Sequence, residues 1–141
     1  AFWADRYSNA FDYRNKMMDE ASRTRYIRCV DGGTIYMGKK PDLPKCANYP
    51  VQRAALSVMA RALIRHKNTL DAARFCGQHG STKMISTIHD AIIDETLLAD
   101  AGSCLSLMEQ DMTEAYLDIF PAAPTERLVE GGVGTSWANL E

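Results

Sequence analysis

Apolar positions recur along this chain with two different periods. From Phe2 to Ser22, residues Trp3, Tyr7, Ala10, Phe11, Met17, Met18 and Ala21 fall close to an i, i+4, i+7 stripe. Asp5, Arg6, Asp12, Arg14, Lys16 and Asp19 lie largely off it, which predicts an amphipathic helix. Arg25 to Met37 is instead two short β-like runs about Asp31-Gly32-Gly33, a hairpin whose turn uses glycine to reach positive φ. From Asn48 to Asn68 the helical period returns, with Val51, Ala55, Val58, Met59, Ala62 and Leu63 on one face. Asn48 suits a cap there and Pro50 the first turn. Leu98 to Phe120 is a further helix, with Leu105, Met108, Met112, Ala115, Tyr116 and Ile119 inward and Glu109, Asp111, Glu114 and Asp118 outward. Pro121 and Pro124 end it.

Between the last two helices lies Lys83 to Glu95, KMISTIHDAIIDE, on which the functional reading turns. Ile85, Thr87 and Ile88 precede a polar pair, His89 and Asp90, and Ile92 and Ile93 resume before Asp94 and Glu95. The pattern predicts a hairpin with a carboxylate at its bend. Gly38 to Lys45 is a basic, proline-broken loop, and Thr69 to Ser81 a polar connection interrupted by Gly77 and Gly80. In the closing stretch, 127–134 offers a candidate strand from Arg127 to Val133. The order helix, hairpin, helix, hairpin, helix, strand predicts an α+β unit with helices on one face of an antiparallel sheet.

Composition narrows this only a little. The 141 residues are one domain's worth, and 46% hydrophobic residues are enough for a core. No apolar run approaches the ~20 residues that span a bilayer, and no signal peptide is visible. The chain opens at Ala1 within a helical pattern, which points to a processed or fragmentary product. Cys29, Cys46, Cys76 and Cys104 are scattered without a C-x-x-C pair, and Cys76 with His79 lacks a second pair to complete a zinc site. Buried or incidental thiols in an intracellular protein are the expectation.

Charge adds a division that the net −2 conceals. Up to Lys83 there are 15 Lys and Arg against 7 Asp and Glu, a net of +8; beyond it there is 1 against 11, a net of −10. A basic segment is the usual footprint of a polyanion partner, and an acidic one with a carboxylate at a hairpin bend suits divalent cations. Asp90 is the candidate metal ligand. Gln52 has a side chain able to donate to minor-groove acceptors, and Arg53, Arg61 and Arg65 lie off the apolar face of their helix as candidate phosphate contacts. Turn chemistry alone also favours Asp at a bend, and solvated faces alone explain most charged residues.

Three motifs, taken in order, resemble the C-terminal portion of family A DNA polymerases, the DNA polymerase I and phage polymerase group. Asn48-Tyr49-Pro50-Val51-Gln52, followed by an Ala-rich helix, is similar to that family's N-x-P-x-Q element. Ile88-His89-Asp90 resembles its motif C, and Gly132-Val133-Gly134-Thr135-Ser136-Trp137 its Gly-x-Gly-x-x-Trp ending. The resemblance runs over nearly the whole chain. It departs at Ala91, where the family usually has Glu and where Asp94 or Glu95 would have to substitute, and at Arg53, where Gly is common. Nothing in Ala1 to Lys45 resembles the family's motif A Asp or its fingers helix.

The resemblance implies a palm-type antiparallel sheet and a C-terminal piece of a DNA-directed DNA polymerase in the cytoplasm of a bacterial or phage-infected cell. It implies primer-template DNA and a dNTP as ligands and Mg²⁺ at a two-metal site shared with an N-terminal polymerase fragment that supplies motif A and the fingers. Asp90 would bind metal, His89 would support the primer terminus, and Asn48 and Gln52 would touch the minor groove. A piece of a single-subunit RNA polymerase and a non-catalytic DNA-binding palm remnant stand beside it as alternatives.

Overall fold

The computed structural model describes residues 6–73, 80–136 and 139. Helix α1 spans Ser8–Thr24, strands β1 and β2 span Tyr26–Arg28 and Thr34–Tyr36, and helix α2 spans Leu43–Ala72. Strands β3 and β4 follow at Lys83–Ile88 and Ala91–Glu95, then helix α3 at Ala101–Leu117. The class is α+β, and its strands stand as two separate two-stranded antiparallel sheets, β1-β2 and β3-β4. The chain condenses into two compact units, Ala1–Leu56 and Ser57–Glu141.

In the first unit, α1 buries Met17 and Ala21, one turn apart, against Ile27 of β1 and Cys46 of α2, with Met18 and Met37 packed at the edge. The helix stops at Arg25, whose φ of 67° is left-handed and whose N–H donates to the Ala21 carbonyl at 2.8 Å. That end leads directly into β1. The β1-β2 turn is local chemistry: the Gly33 N–H donates to Asp31 Oδ1 at 3.0 Å, and Gly32 takes φ +82°.

Helix α2 begins five residues earlier than its sequence pattern indicates. The Asp42 carbonyl accepts the first helical bond, from the Cys46 N–H at 2.9 Å, and Pro44 fills the early position assigned to Pro50. Asn48 is therefore an exposed residue within the helix and not its cap, and Pro50 is a buried proline inside it. Its ring cannot donate to the carbonyl four residues back.

The second unit is built on three stripes. On α2, Ala62, His66 and Leu70 recur every four residues with no exposure at all. On α3, Ala101, Cys104, Asp111 and Ala115 are buried, and Ile119 continues the line. From β4, Ile92 completes the core with Ala62 and Ala115, and Met59, Leu63, Met84, Met108 and Met112 pack around it. Asp111 thus faces inward, where its charge alone had placed it outward. At the open end of the β3-β4 hairpin, buried Thr82 meets Thr96 Oγ1 at 2.8 Å and Cys104 Sγ at 2.9 Å.

The strand expected from Arg127 to Val133 does not form. The segment runs as turns and extended chain, with Arg127 at φ +54°. Its Gly131 N–H donates to Glu109 Oε1 on α3 at 3.1 Å, and a Cβ on Gly131 would lie 2.2 Å from Leu105 Cδ1. With its N–H given to a side chain of α3, Gly131 has no backbone donor to offer a neighbouring strand. Cys76, His79 and Trp137 lie outside the described residues. Cys29, Cys46 and Cys104 are free and buried, as expected of incidental thiols.

Candidate functional site

Strands β3 and β4 pair from Lys83↔Glu95 to Ile88↔Ala91, which leaves His89 and Asp90 as a two-residue loop. Both are exposed. His89 carries φ +54°, a conformation that non-glycine residues rarely hold, His being among those enriched in it. Two flanking strands fix the height of the loop, so Asp90 presents its carboxylate to solvent at the hairpin's tip.

One exposed carboxylate is a donor that a hard cation such as Mg²⁺ accepts, and Asp90 fits that role as a single ligand. Among the described residues no three His, Cys, Asp or Glu side chains converge as a metal cage. Asp94, which could have stood in for the missing Glu at Ala91, is turned inward: its Oδ2 lies 2.7 Å from His66 Nε2. Glu95 remains exposed at the far end of β4.

The other candidate residues lie on α2. In the first unit Asn48 and Gln52 are exposed and one turn apart, so their side chains share a helix face. Arg53 is committed: its Nε donates to Asp31 Oδ2 at 2.9 Å and Oδ1 at 3.2 Å, and Asp31 is 8% exposed. That hydrogen bond and the Asp31 charge hold the guanidinium pKa above its ordinary value.

The pair also explains the second glycine of the turn. A Cβ on Gly33 would sit 2.0 Å from Arg53 Nη2, so Gly33 clears space while Gly32 supplies positive φ. Gly33→Ala is expected to lower the urea midpoint in the wild-type background, and to be close to neutral once Arg53→Ala has removed the guanidinium.

In the second unit Arg65 Nη1 donates to Glu114 at 2.7 Å and its Nη2 to Asp118 at 3.0 Å, and Arg61 reaches Asp118 at 3.8 Å. The basic face of α2 and the acidic face of α3 therefore neutralise each other in part. These are half-exposed pairs, each worth about 0–1 kcal/mol, and a polyanion could compete for them.

The feature that sequence reasoning missed is a buried cluster. His66 Nδ1 lies 2.9 Å from Asp111 Oδ2 and its Nε2 2.7 Å from Asp94 Oδ2, with the three side chains 0%, 7% and 5% exposed. Thr69 Oγ1 donates to Asp111 Oδ1 at 2.9 Å, while Asp94 Oδ1 finds no donor among the described residues. Burial pushes the His66 pKa down, but its hydrogen bonds to Asp94 and Asp111 outweigh this and leave it raised. A signal was present: His66 follows Ala62 by four residues, and Asp111 precedes Ala115 by four.

With this geometry in place, comparison with protein-family models, curated proteins and solved structures gives no significant match. The polymerase resemblance therefore rests on the motifs themselves. No helix among the described residues is long and apolar enough to cross a membrane.

Proposed function

We propose that this chain is the C-terminal palm part of a family A-like DNA-directed DNA polymerase, acting with a second polypeptide that brings the motif A Asp and the fingers. The observation that carries the reading is the His89-Asp90 pair, exposed at the two-residue tip of an antiparallel hairpin. A motif C carboxylate has to stand there to meet metal and primer from outside the chain. The exposed Asn48 and Gln52, sharing one helix face in the N-x-P-x-Q element, support it independently.

In this reading Asp90 contributes one ligand to the Mg²⁺ site, His89 lies against the primer terminus, and Asn48 and Gln52 donate to minor-groove acceptors. Bound Mg²⁺ supplies activation of the primer 3′-hydroxyl and charge neutralisation at the pyrophosphate leaving group. Arg53 and Arg61 would meet phosphates with guanidinium groups that already pair with Asp31 and Asp118.

The test is primer extension by the chain alone and with the polypeptide that copurifies from its native source. The isolated chain is expected to incorporate nothing, because one carboxylate alone does not assemble a two-metal site, and the complex to extend with deoxynucleotides. Incorporation by the pure chain would overturn the shared site. A complex that binds primer-template without extending it would mark a DNA-binding remnant instead, and preference for ribonucleotides an RNA polymerase.

A further inference from the structure

The hairpin carrying His89 and Asp90 is tied to both helices of its unit by one polar chain. Asp94, four residues beyond Asp90 on β4, meets His66 of α2 at 2.7 Å; His66 meets Asp111 of α3 at 2.9 Å; and Thr69 fixes the other Asp111 oxygen at 2.9 Å. Each member of the Asp-His-Asp chain is more than nine-tenths buried. An apolar core in the same space would give cohesion with little directional preference. Carboxylate and imidazole give direction: a slip of β4 by one residue turns Asp94 to the opposite face and breaks the link. The two-residue turn sets this register locally, but β3 is largely exposed and the ladder carries an irregularity between Met84 and Ser86, so few buried side chains of β3 add to the hold at the far end of β4.

We infer that Asp94, His66 and Asp111 form a positioning device that fixes the register of β4 and, through it, the height of the His89-Asp90 tip. This rests on the polymerase reading only for what the tip is used for.

The cluster has a protonation signature that follows from donor counting. Neutral imidazole donates from one nitrogen only, whereas imidazolium donates from both, as two flanking carboxylates require. The charged groups of the surrounding elements are otherwise engaged or outward. Glu114 and Asp118 of α3 pair with Arg65, Lys67 of α2 pairs with Asp71, Glu109 takes the Gly131 N–H, and Lys83, Asp90 and Glu95 of the hairpin are exposed. Asp94 and Asp111 are thus the partners that set the ring's charge. Because the folded-state pKa of His66 is raised, the hold is complete below the ordinary histidine value of about 6.5 and relaxes as pH rises through the raised value.

The measurement is amide hydrogen exchange by NMR on the full chain, as protection factors for Ala91 to Ile93 against pH, beside the His66 ring shifts. Protection in the wild type is expected to fall with the same midpoint as His66. At pH 6, His66→Gln and Asp94→Asn are expected to lower it roughly ten- to a hundredfold, the scale of one charge-assisted hydrogen bond, and to flatten its pH dependence. Should His66→Gln fail to fold, the near-isosteric Asp94→Asn carries the comparison. Unchanged protection in a folded variant, or wild-type protection that ignores the His66 titration, would overturn the inference.

In the reconstituted complex, Asp94→Asn is expected to lower kcat with KM for primer-template unchanged and to remove a pH break that tracks His66. Equal turnover and the same pH profile would count against positioning. A wild-type complex that extends no primer would sink the polymerase reading and leave the exchange result standing.

Discussion

Asp90→Asn is expected to abolish nucleotide addition by the reconstituted complex while leaving primer-template binding within a small factor of wild type. The substitution keeps the side chain's volume and removes its charge. Because Asp90 is exposed at the hairpin tip, the fold loses no buried partner. What disappears is an anionic oxygen for a hard cation, and neutral amide oxygens hold Mg²⁺ poorly. Removing a single group that stabilises developing transition-state charge typically costs roughly 10²–10³-fold in rate, and a shared metal ligand belongs at or beyond that scale. Single-turnover extension and filter binding on the same preparation check the two halves. Retained synthesis would dismiss Asp90 as the metal ligand, and lost DNA binding would show that the tip serves affinity and not chemistry.

Asp111→Ala is expected to destabilise the second unit by about 1–3 kcal/mol, the usual cost of leaving buried polar groups without their hydrogen-bond partner, since His66 keeps Asp94. The alanine leaves His66 with one carboxylate in place of two and leaves Thr69 Oγ1 without its acceptor. It also opens a void beside Ala115. Against a typical domain stability of about 5–15 kcal/mol this is a large share. Replacing Asp111, His66 and Asp94 together by apolar residues of similar volume is expected to cost less, because no buried polar group is then left without a partner. Urea unfolding of the single and triple variants measures the difference. A single variant as stable as wild type would mean that the hydrogen bonds to Asp111 contribute nothing to the fold.

Both expectations concern the same hairpin seen from its two ends. Its tip, His89-Asp90, was legible in the sequence because a two-residue polar break between β-branched runs is a local signal, and Ile88↔Ala91 closes it as read. The β1-β2 hairpin was legible for the same reason, through Asp31-Gly32-Gly33. The anchor below the tip was not, because its members meet across 28 and 45 residues of chain.

The sequence by itself determined the order of helices and hairpins, the α+β class and the exposed pair at the β3-β4 turn, since periodicity and turn chemistry act between near neighbours. Only the tertiary structure decided that α2 starts at Leu43, that Gly131 sits against α3 while 127–133 forms no strand, and that Arg53 is held by Asp31 through the space left at Gly33. It alone turned Asp111 and Asp94 inward onto His66. A charged residue on an apolar stripe is costly to bury until its partner is known, and that partner is supplied by the fold.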